Sequence, residues 1–332
     1  MSNGRLLYID NLKAFAITLV VLGHIVQFSY CPDTFDENHL FRYIYSFHMP
    51  LFMALSGFCR RFDVSITSII KKLSLTLLLP FLSWSFIRAI GDGQDFLQCI
   101  MDPDTSLWFL WVLYWINICF TITVFFSQKC RARFRYVWCV TFVVLLLCRV
   151  ILKDMFGMTL IFTHFFYFSF GFFIKRTKFI SLHPTSCIIL FFVWIAFGWY
   201  WMRISAPYFL ISYSQMLSKP SMFLWHYITA ISGIIGWIYL FSRLKLLNSK
   251  TSVLYTIMSY IGRRTLAIYA IHFFLIAPIW NLYRNVILIA RGIVEDYMCI
   301  LLSLATILVV SLIFHKILSM EKHISLVLFG KI

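Results

Sequence analysis

The first apolar segment reads Tyr8-Ile9-Asp10-Asn11-Leu12-Lys13-Ala14-Phe15-Ala16-Ile17-Thr18-Leu19-Val20-Val21-Leu22-Gly23-His24. Between Lys13 and Asp33 it carries no Asp, Glu, Lys or Arg. An uncharged run of that length matches a hydrocarbon core of about 30 Å, and in lipid it must be a helix because its backbone groups can only be satisfied internally. His24 lies eleven residues beyond Lys13. At 3.6 residues per turn the two return to within roughly 20° of one face, with a rise of about 16 Å, or about half the hydrocarbon thickness. Asp10 falls within roughly 40° of the same stripe. Lys13 thus marks the membrane surface and His24 sits near the midplane. An ionisable residue at that depth is costly and is a functional candidate, and imidazole suits proton transfer near neutral pH. Two plainer readings stand beside this one. His24 would hydrogen-bond a neighbouring helix for packing, and Asp10 and Lys13 would pair at i, i+3 at the helix start.

The composition extends that reading to the whole chain. Of 332 residues, 61% are hydrophobic and 13% charged, about half the charged share of a soluble domain. Ten membrane helices are expected, near residues 12–30, 41–58, 73–90, 106–126, 135–152, 159–174, 186–203, 220–242, 265–283 and 297–315, as one all-α membrane domain over 1–332. The connecting segments alternate in charge. Arg5 and Lys13, Arg60/Arg61/Lys71/Lys72, Lys129/Arg131/Arg133/Arg135, Lys175/Arg176/Lys178, Arg243/Lys245/Lys250/Arg263/Arg264 and Lys316/Lys322/Lys331 lie on one side and hold most of the 29 Lys and Arg. Asp33, Asp36, Glu37, Asp92, Asp95, Asp102, Asp104, Asp154, Glu295 and Asp296 fall in the segments between. The positive-inside rule places the basic side, with both termini, in the cytoplasm. The net charge of +16 therefore reports topology and not a nucleic-acid partner. The first run has no small-residue cleavage site, so no cleaved leader is expected. Cys119, Cys139 and Cys148 sit inside apolar runs as small hydrophobes. Cys31 and Cys99 both fall on the outer side, which would allow one disulfide.

Further polar residues mark the spans. In Ser46-Phe47-His48-Met49-Pro50-Leu51-Phe52-Met53-Ala54-Leu55-Ser56-Gly57-Phe58, Pro50 is expected to kink the helix and free a carbonyl that a polar neighbour such as His48 re-satisfies. Ser56-Gly57 permits a close approach of backbones. His272 lies about two turns into the ninth span with Tyr269 one turn before it. His164 and His226 read as packing or interface residues. Trp108 and Trp111 open the fourth span, where an aromatic belt is the default. No Asp or Glu lies deep in a span, unlike most proton-coupled transporters, and no metal triad or Gly-rich phosphate loop is visible.

Taken together, Asp10-x-x-Lys13 with His24, Phe47-His48-Met49-Pro50-Leu51-Phe52, Ser56-Gly57-Phe58, Leu107-Trp108-Phe109-Leu110 and Gly262-Arg263-Arg264-Thr265-Leu266-Ala267-Ile268-Tyr269-x-x-His272 resemble the membrane acyltransferase-3 family. The nearest branch contains fucose 4-O-acetylase-like and enterobacterial-common-antigen O-acetyltransferases. The resemblance runs end to end. Lys13 stands where many members have arginine, and Lys71-Lys72 lies further upstream of Leu78-Leu79-Pro80 than is usual.

The resemblance implies a multi-pass enzyme of the bacterial inner membrane. It would move an acyl group, usually acetyl, from cytoplasmic acyl-CoA to a hydroxyl of a surface or lipid-linked glycan, with no tightly bound cofactor. Asp10, Lys13 and His24 would then be the catalytic candidates. His48, Ser56, Arg60, Lys71, Lys72, Trp108, Arg263, Arg264, Tyr269 and His272 would be the substrate-binding ones. Basic cytoplasmic loops suit the phosphates of CoA, and His24 would act as general base or as acyl carrier. The rivals are a glycan or lipid transporter, or an export component without acyl-transfer chemistry, and a structural membrane subunit.

Overall fold

The computed structural model describes residues 7–60, 65–93, 95–101, 107–153, 155–176, 183–203, 220–244, 252–287 and 293–330. All regular structure among them is helical. Eight helices among the described residues are long and apolar enough to cross a membrane: Tyr8–Tyr30, Ile66–Gly91, Trp108–Lys129, Phe134–Leu152, Met155–Lys175, Ser221–Arg243, Thr265–Val286 and Val294–Leu318. The chain is an all-α integral membrane protein. The charges expected at Arg5, Arg61, Lys178, Lys245, Lys250, Lys331, Asp102, Asp104 and Asp154 lie outside the described residues.

Two of the ten expected spans take another form. The 41–58 stretch is two short helices, His39–Tyr45 and His48–Cys59. The break falls at Ser46-Phe47, upstream of Pro50. Pro50 occupies the first turn of the second helix, where its missing N–H deprives no intrahelical carbonyl of a partner. The His48 Nδ1–H donates instead to the Ile44 carbonyl across the break, at 2.7 Å. The seventh expected span is the 16-residue helix Pro184–Trp199, with proline in its first turn. A further helix, Val253–Gly262, was not expected. Ser252 caps it by accepting from the Tyr255 N–H, and it is too short for a span.

The chain sorts into two compact units. The first comprises Met1–Leu55 and Ile174–Ile317, the second Ser56–Phe173 and Leu318–Ile332.

In the first unit the helix Leu7–Ile25 is central. It packs against Val253–Gly262, Thr265–Ile287, Pro220–Arg243 and His39–Tyr45. Asn11, Leu12, Ala14, Ile17 and Val20 are all buried and spread around its circumference, as in a helix enclosed on every side. Past Ile25 the helix widens into a π-turn over Val26–Tyr30, closed by the Cys31 N–H donating to the Val26 carbonyl at 3.1 Å. Phe15, Phe47, Trp194 and Trp237 interlock beside it, with Phe15 and Trp237 centroids 4.4 Å apart. His226 is buried against Trp201.

In the second unit, Trp108–Lys129 packs against Ile66–Leu73, Leu79–Asp92 and Phe134–Leu152. Phe120 lies among Phe134, Phe165, Phe168 and Phe172. Phe134–Leu152 is only 11% buried within the described structure. Its Val140, Val143, Leu147 and Ile151 point outward, as expected of side chains facing lipid. A second π-turn, Ser74–Leu78, precedes Pro80, which offers no N–H to the Thr76 carbonyl. Gly57 makes the close approach that its sequence context suggests: a Cβ there would lie 1.9 Å from the Phe168 carbonyl oxygen. Gly57→Ala should therefore lower stability by about 1–3 kcal/mol, the usual cost of overpacking. Gly91→Ala, with nothing within 4 Å of the added carbon, should be neutral or stabilising. Thermal unfolding of the two variants in the same detergent checks the pair.

All nine cysteines are free thiols, so the disulfide that Cys31 and Cys99 would allow is not formed.

Candidate functional site

His24 stands one residue before the end of the helix Leu7–Ile25, just ahead of the π-turn. Widened turns of this kind recur at functional sites because they re-aim the side chains around them. His272 faces it from the helix Thr265–Ile287. His24 Nδ1 and His272 Nε2 are 2.8 Å apart, and the rings meet edge to edge, with centroids 5.1 Å apart and planes 12° from parallel. His272 is 1% exposed, and its Nδ1 lies 3.0 Å from the Ile268 carbonyl of its own helix. His24 is only half buried. Phe28 and Phe273 hold the His24 ring edge-on, at 5.4 and 6.0 Å. Tyr45 lies 6.4 Å away and donates its hydroxyl proton to Gln27 Oε1 at 2.5 Å.

The other end of the same helix pair carries charge. Asp10 is buried and Lys13 half buried. The Asp10 backbone meets Gly262, where a Cβ would sit 1.9 Å from the Asp10 carbonyl oxygen. Arg263 follows and donates to the Ser259 carbonyl and hydroxyl, at 3.1 and 3.0 Å. Arg264 lies 3.6 Å over the Tyr260 ring. Asp10 meets Gly262 and His24 meets His272, so the two segments run parallel. Lys13, Arg263 and Arg264 thus share one end of the unit, with the imidazole pair further along. That arrangement gathers basic residues at one end of the unit.

The first unit therefore brings together His24 with His272, and the Asp10 backbone with Gly262, the residue before Arg263 and Arg264. Tyr269 is buried with its ring 5.9 Å from His272. His48 is buried against Tyr45, at 4.7 Å, and its Nδ1–H is engaged by Ile44.

The second unit holds the remaining candidates. Ser56 is half buried. The Arg60 guanidinium donates to Thr121 Oγ1 at 2.6 Å, and burial lowers its pKa from the ordinary value. Lys71 and Lys72 are exposed in the last turn of Ile66–Leu73. Trp108 packs on His164, 5.2 Å between centroids, and His164 is wholly buried.

Sequence reasoning passed over Gln27, Tyr45 and Ile268. Gln27 was accessible to it, since three residues beyond His24 is one turn along a similar face. Tyr45 was not, because it comes from another helix. Ile268 acts through its backbone, which no residue type announces.

A family model for an acyltransferase domain, that of the acyltransferase-3 family, matches residues 6–316. The nodulation protein NolL of Mesorhizobium japonicum is 32% identical over 128 residues, covering 34% of this chain and 34% of that protein. The nodulation protein NolL of Sinorhizobium fredii is 32% identical over 127 residues, covering 34% of this chain and 35% of that protein. The similarity thus spans about a third of the length of each relative. No solved structure matches the chain.

Proposed function

This chain belongs to the acyltransferase-3 family and has several helices able to cross a membrane, and we propose that it is an acyltransferase that moves an acyl group, acetyl in the first instance, from cytoplasmic acyl-CoA to a hydroxyl of a cell-surface or lipid-linked glycan. The proposed setting is the bacterial inner membrane with both termini cytoplasmic. The observation that carries the reading is the imidazole pair, with His24 half buried and His272 behind it at 2.8 Å. A partly exposed imidazole hydrogen-bonded to a second, buried one is an arrangement that suits a general base.

His24 takes the proton from the acceptor hydroxyl as that oxygen bonds to the acyl carbon. The carbon–sulfur bond of the thioester then breaks, and the imidazolium returns the proton to the departing thiolate. The products are an O-acyl ester and CoA thiol, and His24 ends as it began.

Arg263 and Arg264 suit the phosphates of the donor, because their guanidinium groups lie at the basic end of the unit. Lys71 and Lys72 are exposed cations of the same proposed cytoplasmic side. Neutralising either pair should raise the KM for acyl-CoA more than it lowers kcat, since phosphate anchoring contributes equally to ground and transition states. An unchanged donor KM would mean that these charges set topology alone. Lys13→Ala should lower kcat/KM by about tenfold or more, the scale of one lost charge-assisted contact, while Lys13→Arg should keep most of the activity.

The test of the acceptor class is chemical. Surface glycan from cells carrying the wild-type protein should contain alkali-labile O-acyl esters that are missing from cells carrying His24→Ala. Glycans of identical ester content would count against a glycan acceptor.

A further inference from the structure

We infer that His272 is a positioning residue that fixes His24 in its Nδ1–H tautomer, so that Nε2 of His24 is the nitrogen that handles the proton. The functional part of this rests on the proposed role of His24; the tautomer does not.

The assignment follows from the hydrogen-bond network. A backbone carbonyl can only accept, so the contact between His272 Nδ1 and the Ile268 oxygen at 3.0 Å places a proton on that nitrogen. A second proton on His272 would leave a cation at 1% exposure, a state that burial penalises heavily. The neutral ring therefore bears its lone pair on Nε2. That nitrogen lies 2.8 Å from His24 Nδ1, and one member of the contact must supply the hydrogen. Only His24 Nδ1 can, so in neutral His24 the remaining lone pair is on Nε2.

The relay runs from the Ile268 carbonyl through His272 to His24. It does for His24 what an orienting carboxylate does for the histidine of a catalytic triad, without a buried charge. Both nitrogens of His272 are engaged by this relay, and its burial separates it from anything that enters beside the half-buried His24. The near-coplanar hydrogen bond to His272 and the edges of Phe28 and Phe273 hold the His24 ring plane, so the lone pair also has a fixed direction.

The test is nitrogen NMR on full-length protein carrying 15N-histidine, reconstituted in phospholipid vesicles, with His24 assigned by its disappearance in His24→Gln. In wild type, His24 should show a protonated Nδ1 and an unprotonated Nε2. His272→Leu removes the acceptor and should shift His24 toward the Nε2–H form, with acyl transfer reduced about 10- to 100-fold, the range seen when a group that orients a reactive histidine is lost. His272→Gln supplies an acceptor oxygen in place of Nε2, and should keep the Nδ1–H form and recover much of the rate. A wild-type His24 protonated on Nε2 would overturn the inference, as would a tautomer indifferent to His272→Leu or one lost in His272→Gln. If the tautomer responds as expected but His24→Gln remains active, the positioning stands and the catalytic role of His24 fails.

Discussion

His24→Ala should leave an inserted, folded protein whose acyl transfer is at least ~10²-fold slower, the usual scale for loss of a general base. His24→Gln should be no better. Glutamine can hydrogen-bond His272 and fill much of the same volume, but an amide cannot accept a proton at neutral pH. A packing role gives the reverse pattern: His24→Gln near wild type, with losses in every variant that track expression and melting temperature. Transfer rate and thermal midpoint measured on the same preparations separate the two, and a fully active His24→Gln would remove His24 from the chemistry.

Gly262→Ala should be as damaging as Gly57→Ala, and it should reach the site as well. The added carbon would meet the Asp10 carbonyl oxygen at 1.9 Å and the carbonyl carbon at 2.7 Å. Neither belongs to a side chain that can turn aside, so the helix Val253–Gly262 must move off the helix Leu7–Ile25. The expected cost is about 1–3 kcal/mol of stability, and more if the packed pair cannot separate cleanly. The contact lies at the level of Asp10 and Lys13, so the donor KM should rise as the melting temperature falls. Thermal unfolding with donor kinetics on one preparation checks both, and a Gly262→Ala protein as stable as wild type would mean that the helices part at little cost.

The fold was legible wherever the sequence held an uninterrupted apolar run. Lys13 to Asp33 and the run that begins at Thr265 each yield one long helix, because lipid leaves the backbone no alternative. It was less legible at residues 41–58, where Arg42 and His48 interrupt the apolar run, Asn38 caps the helix His39–Tyr45 and His48 bridges to Ile44 across the Ser46-Phe47 break. Hydropathy does not register that local bonding. Val253–Gly262 escaped for the opposite reason, being too short for a span while its packing depends on Gly262.

The site was legible along one helix and not across helices. Helical geometry placed Asp10, Lys13 and His24 on a stripe, and the burial of Asp10 with the half-burial of Lys13 and His24 agrees with a helix enclosed by neighbours. Periodicity gave no reason to seat His272 against His24, since 248 residues separate them. Their meeting depends on the parallel packing of two helices. The tautomer that follows depends on one backbone carbonyl, that of Ile268.

The most direct measurement is transfer from donor to acceptor by the purified protein. Vesicles reconstituted with the full-length chain would receive acetyl-CoA labelled in the acetyl group, together with lipid-linked oligosaccharide extracted from bacterial membranes. Wild-type protein should place the label on the oligosaccharide as an ester that mild alkali releases, with one CoA thiol formed for each acetyl moved, and His24→Gln should abolish both signals. Label that stays on CoA with wild-type protein, or that reaches the oligosaccharide equally well with His24→Gln, would contradict acyl transfer driven by His24.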